Sequence, residues 1–197
     1  MLIRLSTPMG LALQVDDLKR QCEVHLDDTS REALLERHIR AATRIVEDHI
    51  GRFLLPISLE LRLPRWCHPI ILPAAPIRSV TEVVYLDDAH AEQTVDVANW
   101  TFDPSSTGGG VFFDDFSLPT LSSRPSPVRV RFMAGYDDQM QSGAGDDPQL
   151  LADPLDEQMV ALLAANWFIH RESITELDLK SAPDSFWMIA AKRRIYR

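Results

Sequence analysis

The sequence predicts an α+β fold, a bundle of about four helices with a small inserted antiparallel β-sheet or sandwich. Apolar residues recur at helical spacing in the first quarter of the chain and again after Pro154. Between those parts they alternate with period two, and prolines and glycines cut the alternating stretch into short runs. The reading is one domain over residues 1–197, with helical parts at 11–54 and 153–197, a β insertion at 56–136 and an exposed acidic loop at 137–152.

Taken in order, residues 15–24 read as a brief helix with Asp16 and Asp17 in its first turn, where the helix dipole favours negative charge. The second helix opens on Thr29 and Glu32, a capping-box pattern, and carries Leu34, Leu35, Ile39, Ala42, Ile45, Val46 and Ile50 until Gly51 offers a stop. Burying such side chains at roughly 1.5 to 3 kcal/mol each makes it a main strut, and an aspartate at Ile45 is expected to break it.

From Ile57 the period changes, with Ile57, Leu59, Leu61 and Leu63 alternating with Ser58, Glu60 and Arg62. Short strands follow at residues 70–72, 80–86, 93–95, 100–102, 111–113 and 128–134, with residues 105–110 as a flexible hairpin tip. The loop from Tyr136 to Asp153 lacks periodicity and is expected to be exposed and mobile. Asp153 and Pro154 then cap a helix carrying Leu155, Met159, Leu162, Leu163, Asn166, Trp167 and His170. That helix is apolar around much of its circumference and is expected to lie between neighbours. A last helix starts near residues 181–184 and runs through Phe186, Trp187, Ile189 and Ala190 to a basic end.

A chain of 197 residues, 45% hydrophobic and 25% charged, has the composition of an ordinary globular protein. Its formal net charge of -9 argues against a broad nucleic-acid-gripping face, which needs clustered Lys and Arg. Two cysteines make no disulfide framework, and the start lacks a signal-peptide pattern, so a reducing cytoplasm is expected. No apolar run approaches a membrane span.

Motifs that announce an enzyme are missing, including the phosphate-cradling loop, the HExxH zinc helix and the GxSxG elbow. Gly108, Gly109 and Gly110 read as a hairpin tip, because no helix N-terminus follows to bind phosphate. Cys22, His25, Cys67 and His68 supply four zinc-ligand types. Adjacent Cys67 and His68 on an extended strand would face opposite ways, which favours buried cysteines and surface histidines. His38, His49 and His170 lie on helices without a nucleophile placed beside them, and Asp114 with Asp115 reads as a solvated turn. No cofactor is expected. The C-terminal Lys192, Arg193, Arg194, Ile195, Tyr196 and Arg197 fit helix-dipole complementation, nucleic-acid contact or docking to an acidic partner. The interleaved Ile195 and Tyr196 favour docking.

In pattern and order the chain resembles the head-to-tail connector, or adaptor, proteins of long-tailed phages, prophages and related gene transfer agents. The resemblance rests on Cys22 through Asp28, Ala41 through Glu47 with Gly51 and Arg52, Leu59 through Leu63, Pro76 through Val83 with Tyr85, Leu86 and Asp87, Val128 through Tyr136, Asn166 through Phe168, and Arg171 with Glu172. It covers nearly the whole chain in short motifs, although the Tyr136 to Asp153 loop looks longer than usual.

The resemblance implies a non-enzymatic neck component of a virion or gene transfer agent particle, present in the host cytoplasm during assembly. It implies a ring, of twelve subunits by the family pattern, between the portal protein and a stopper or tail-completion protein. DNA would pass through the lumen without sequence-specific binding, and an acidic lumen would not retard it. The C-terminal segment, Lys192 through Arg197, is the expected portal-docking element. Two alternatives stand beside this reading. One is a DNA-binding packaging accessory using the basic tail, and the other is a small hydrolase using His68 or Asp114.

Overall fold

The computed structural model describes residues 1–8, 10–105, 107–114, 116–137, 150–170 and 183–195. These fall into two compact units, Met1–Pro8 with Pro56–Gly135, and Met9–Leu55 with Tyr136–Arg197. The first is built of strands and the second of helices, which gives the α+β class expected.

In the sheet unit, β1 (Leu2–Arg4), β2 (Ile57–Leu63), β4 (Ile77–Leu86), β5 (Glu92–Thr94) and β8 (Val128–Ala134) form a five-stranded antiparallel sheet in the order β1-β2-β8-β4-β5, while β3 (Ile70–Leu72), β6 (Trp100–Ser105) and β7 (Gly108–Phe113) form a three-stranded one in the order β3-β7-β6. Alternation decides the faces. Leu59 pairs with Phe132 and Leu61 with Val130 on the buried face, while Glu60 pairs with Arg131 and Arg62 with Arg129 on the other. Strict alternation along β4 would put Val80 and Glu82 on one face. The register slips between them, so Val80 faces Phe132 and Glu82 faces Arg131. The bulge at Thr81 thereby turns Glu82 onto the charged face.

The glycine run corrects the expected hairpin tip. Gly108, Gly109 and Gly110 are buried residues of β7, paired with β6 and, for Gly109 and Gly110, with β3. A Cβ on Gly109 would stand 2.5 Å from the Phe102 ring, and one on Gly110 would stand 2.9 Å from the Phe112 ring. Glycine is needed there because aromatic rings lie directly on the strand backbone.

In the helical unit, α1 (Val15–Gln21), α2 (Glu32–Ile50), α3 (Pro154–Ile169) and α4 (Asp184–Arg193) enclose one core of Leu18, Leu35, Ile39, Val46, Met159, Leu163 and Phe186. Gly51 ends α2 with φ 75°, the left-handed stop its sequence announces. Asp153 caps α3 by accepting from the Leu155 N–H at 2.9 Å, with Pro154 at its first position.

The capping box at the start of α2 does not form. Arg31 occupies the cap without a side-chain bond, and Glu32 instead receives a hydrogen bond from the buried Lys19 ammonium at 2.6 Å. Lys19 also donates to the Leu26 carbonyl at 2.8 Å, so the would-be cap carboxylate ties α1 to α2. Ile45 is 46% exposed, which removes it from the core and overturns the expectation that an aspartate there breaks the helix.

Candidate functional site

The C-terminal segment, singled out for docking, is anchored within the helical unit. Arg193, in the last turn of α4, donates from Nε to Asp156 Oδ1 and from Nη2 to Oδ2, both at 2.7 Å, and its Nη1 lies 3.0 Å from Asp153 Oδ2. Asp156 is fully buried. This fork on a buried carboxylate raises the Arg193 pKa above its ordinary value, the Asp156 hydrogen bond being the main cause. Beyond it, the Ile195 N–H donates to the Ile50 carbonyl at 2.9 Å, and the Ile195 Cβ lies 3.7 Å from where a Cβ on Gly51 would stand, at ordinary contact distance. Of the six predicted docking residues, Arg193 is therefore committed inside the unit and Ile195 is half-buried at the end of α2. Lys192 and Arg194 are exposed, and Tyr196 and Arg197 lie outside the described residues.

Most of the acidic loop, residues 138–149, also lies outside them. Its base is closed. The Asp137 N–H donates to the Leu150 carbonyl at 2.7 Å, and the Leu150 N–H donates back to the Asp137 carboxylate at 2.6 Å. Nearby, Asp17, Asp137 and Glu157 line a small opening of about 20 Å³. Burial, helped by the charges of Asp17 and Asp156, pushes the Glu157 carboxyl up.

On the charged face of the larger sheet, Glu60 is 2% exposed yet accepts from Arg62 Nε at 2.6 Å and Arg131 Nε at 2.9 Å. Arg131 also donates to Glu82 at 2.6 Å and lies 3.6 Å from Glu92, which pairs with Arg129 at 3.1 Å. Burial alone would push the Glu60 carboxyl up, but the two arginine hydrogen bonds outweigh it and hold it below its ordinary value. Every charge on this lattice has a partner within the sheet, so it acts as structure.

Among the described residues no catalytic constellation emerges. Among the described residues no group of three or more His, Cys, Asp and Glu could hold a metal ion. Cys22 is half-buried and lies in the helical unit, where burial raises its thiol, whereas Cys67 is exposed in the sheet unit rather than buried as expected. Asp114 accepts from the Thr101 hydroxyl at 2.6 Å, and Asp115 lies outside the described residues. His68 stacks on Phe113 at the rim of an open depression of about 440 Å³, also lined by Phe116, Ser117 and Leu118. One imidazole and one hydroxyl among aromatic rings supply no oriented acid–base pair. No helix among the described residues is long and apolar enough to cross a membrane.

Sequence reasoning missed the Asp156–Arg193 fork, because each residue by itself fits the helix dipole at its own end of a helix. It also missed that Ile45 of α2 and Leu155 of α3, counted toward the core by their spacing, face solvent. Leu155 is 40% and Ile169 60% exposed, and Trp187 stands edge-on to His49 with ring centres 5.2 Å apart.

Neither a family model nor a curated protein matches the sequence. Solved structures do. The chain is similar to one in the virion of a native gene transfer agent particle, at TM-score 0.76 and 23% identity over 100% of this chain and 96% of that one. It is similar to a chain from the neck of an empty gene transfer agent particle computed with C6 symmetry, at TM-score 0.75 and 24% identity, and to one from the neck of a native particle computed with C12 symmetry, at 0.75 and 22%, with the same coverage. At these identities the likeness establishes a shared fold along the full chain.

Proposed function

We propose that this chain is a structural neck component of a gene transfer agent or tailed-phage particle, an adaptor that forms a ring beneath the portal protein and above a stopper or tail-completion protein. The observation that carries the reading is the full-length likeness to chains from particle necks computed with sixfold and twelvefold symmetry. The order of short motifs along the sequence points the same way, independently of the coordinates. A net charge of -9 suits a lumen through which duplex DNA passes without being held. On this reading the protein is not an enzyme, and its place is the neck of the particle.

The portal-docking role of the C-terminus keeps Lys192, Arg194, Tyr196 and Arg197 as the contacting residues, with Arg193 as their anchor. Truncation after Arg193 preserves the fork on Asp156, so loss of portal association in a pull-down would report docking itself. Unchanged association would overturn that role. Duplex affinity measured against salt tests the whole reading: no measurable affinity beside specific portal association is expected, while steep salt-dependent binding would favour the packaging-accessory alternative.

A further inference from the structure

We propose that successive copies in the ring meet through two strips of apolar side chains on the helical unit, the outer face of α3 on one copy lying along the outer strip of α2 on the next. This rests on the ring reading above. A closed ring of more than two copies needs two different, mutually complementary surfaces on each copy. The helical unit carries two such surfaces.

On α3 the outward strip consists of Leu155, Leu162 and Ile169, seven residues apart, with Gln158 and Asn166 between them; Leu155, Gln158 and Ile169 are exposed, and Leu162 and Asn166 are half-buried. No charge interrupts it. Seven-residue spacing of apolar side chains is the pattern by which one helix lays a straight seam against another. On α2 the matching strip is Leu34, His38, Ala41, Ile45 and His49, spaced by threes and fours. Ala41 and Ile45 are exposed, and the other three are half-buried. Trp167 flanks His38 with ring centres 6.1 Å apart, and Trp187, 46% exposed, flanks His49. Tryptophans at the edges of an apolar strip are the usual anchors of a protein interface.

The two strips also match in length. At 1.5 Å per residue, Leu155 to Ile169 spans about 21 Å and Leu34 to His49 about 22 Å. The small side chain of Ala41 at mid-strip leaves a recess for a mid-seam side chain of the facing helix, as in helix–helix packing generally. The α3 strip presents no acidic or basic side chain, while the α2 strip carries the half-buried His38 and His49 and is bordered by exposed Arg37, Arg44 and Asp48, the last two already paired with each other at 2.8 Å.

The test uses the full chain as Ile45→Glu and Ile169→Glu single variants, with Ala41→Glu as a second variant on α2. All three positions are exposed, so thermal unfolding should match the wild type. Sedimentation velocity should show self-association weakened at least ~30-fold for each variant alone. Ile45→Glu retains an intact α3 strip and Ile169→Glu an intact α2 strip, so an equal mixture should form a dimer and stop there. Wild-type rings unaffected by all three substitutions, or a mixture that stays monomeric or completes the ring, would overturn the interface alone. A wild-type chain that does not self-associate, by itself or on portal, would overturn the ring reading together with it.

Discussion

In the helical unit one arginine holds one buried carboxylate, whereas in the sheet unit a nearly buried carboxylate is shared among several charges. Among the described residues Arg193 alone reaches into Asp156, with Asp153 also 3.0 Å from its guanidinium, and the fork fixes the end of α4 to the start of α3. Glu60 has both Arg131 and Arg62, and Arg131 in turn holds Glu82. The first arrangement is a clasp with one tooth, and the second is a lattice that tolerates the loss of one member. The contrast follows from secondary structure. Facing strands set ladders of side chains opposite one another every second residue, while two helix ends meet at one point.

The largest effect should come from Arg193→Ala. It leaves Asp156 buried and unpaired, at a cost of about 3 to 5 kcal/mol in urea unfolding. Portal association should fall with it, through loss of the anchored segment. Arg131→Ala should cost less, about 2 kcal/mol, because Arg62 still serves Glu60. A cost equal to that of Arg193→Ala would erase the distinction between clasp and lattice.

The same substitution carries a pH signature. The Glu60 carboxyl is held below its ordinary value in the folded chain, so the stability it contributes is present at neutral pH and lost as pH falls below about 4. Wild type and Arg131→Ala should therefore converge in acid, and a difference that stays constant from neutral pH to acid would count against the lattice. The smallest effect should be that of Ile45→Asp, within about 0.5 kcal/mol, because the side chain faces solvent within its own unit.

The local signals were legible in the sequence. Leu35, Ile39, Val46 and Ile50 mark the buried face of α2 by spacing alone, and Asp153, Pro154 and Gly51 mark helix ends through chemistry confined to a few residues. Whatever depended on distant partners was not legible. Leu2, Ile3 and Arg4 are too few to show a period, and they are a strand only because Leu59, Glu60 and Leu61 lie beside them. Glu32 looked like a cap because nothing local reveals Lys19 as its partner. The glycines of β7 looked like a turn because the rings of Phe102 and Phe112 that cover them are not visible as neighbours of an extended backbone.

The candidate site was legible in part for the same reason. The basic end of α4 stood out, but Arg193 could not be separated from Lys192 and Arg194 until Asp156 was seen to hold it. Leu155, Leu162 and Ile45 counted as core because spacing reports an apolar face without saying what covers it. The surface proposed to join neighbouring copies thus had the sequence appearance of an interior.

Electron microscopy of the purified chain incubated with its portal protein tests the central claim most directly. The neck reading predicts a closed ring of sixfold or twelvefold symmetry, coaxial with the portal and open at its centre to duplex DNA. Portal particles that carry no added ring density at saturating chain would contradict it.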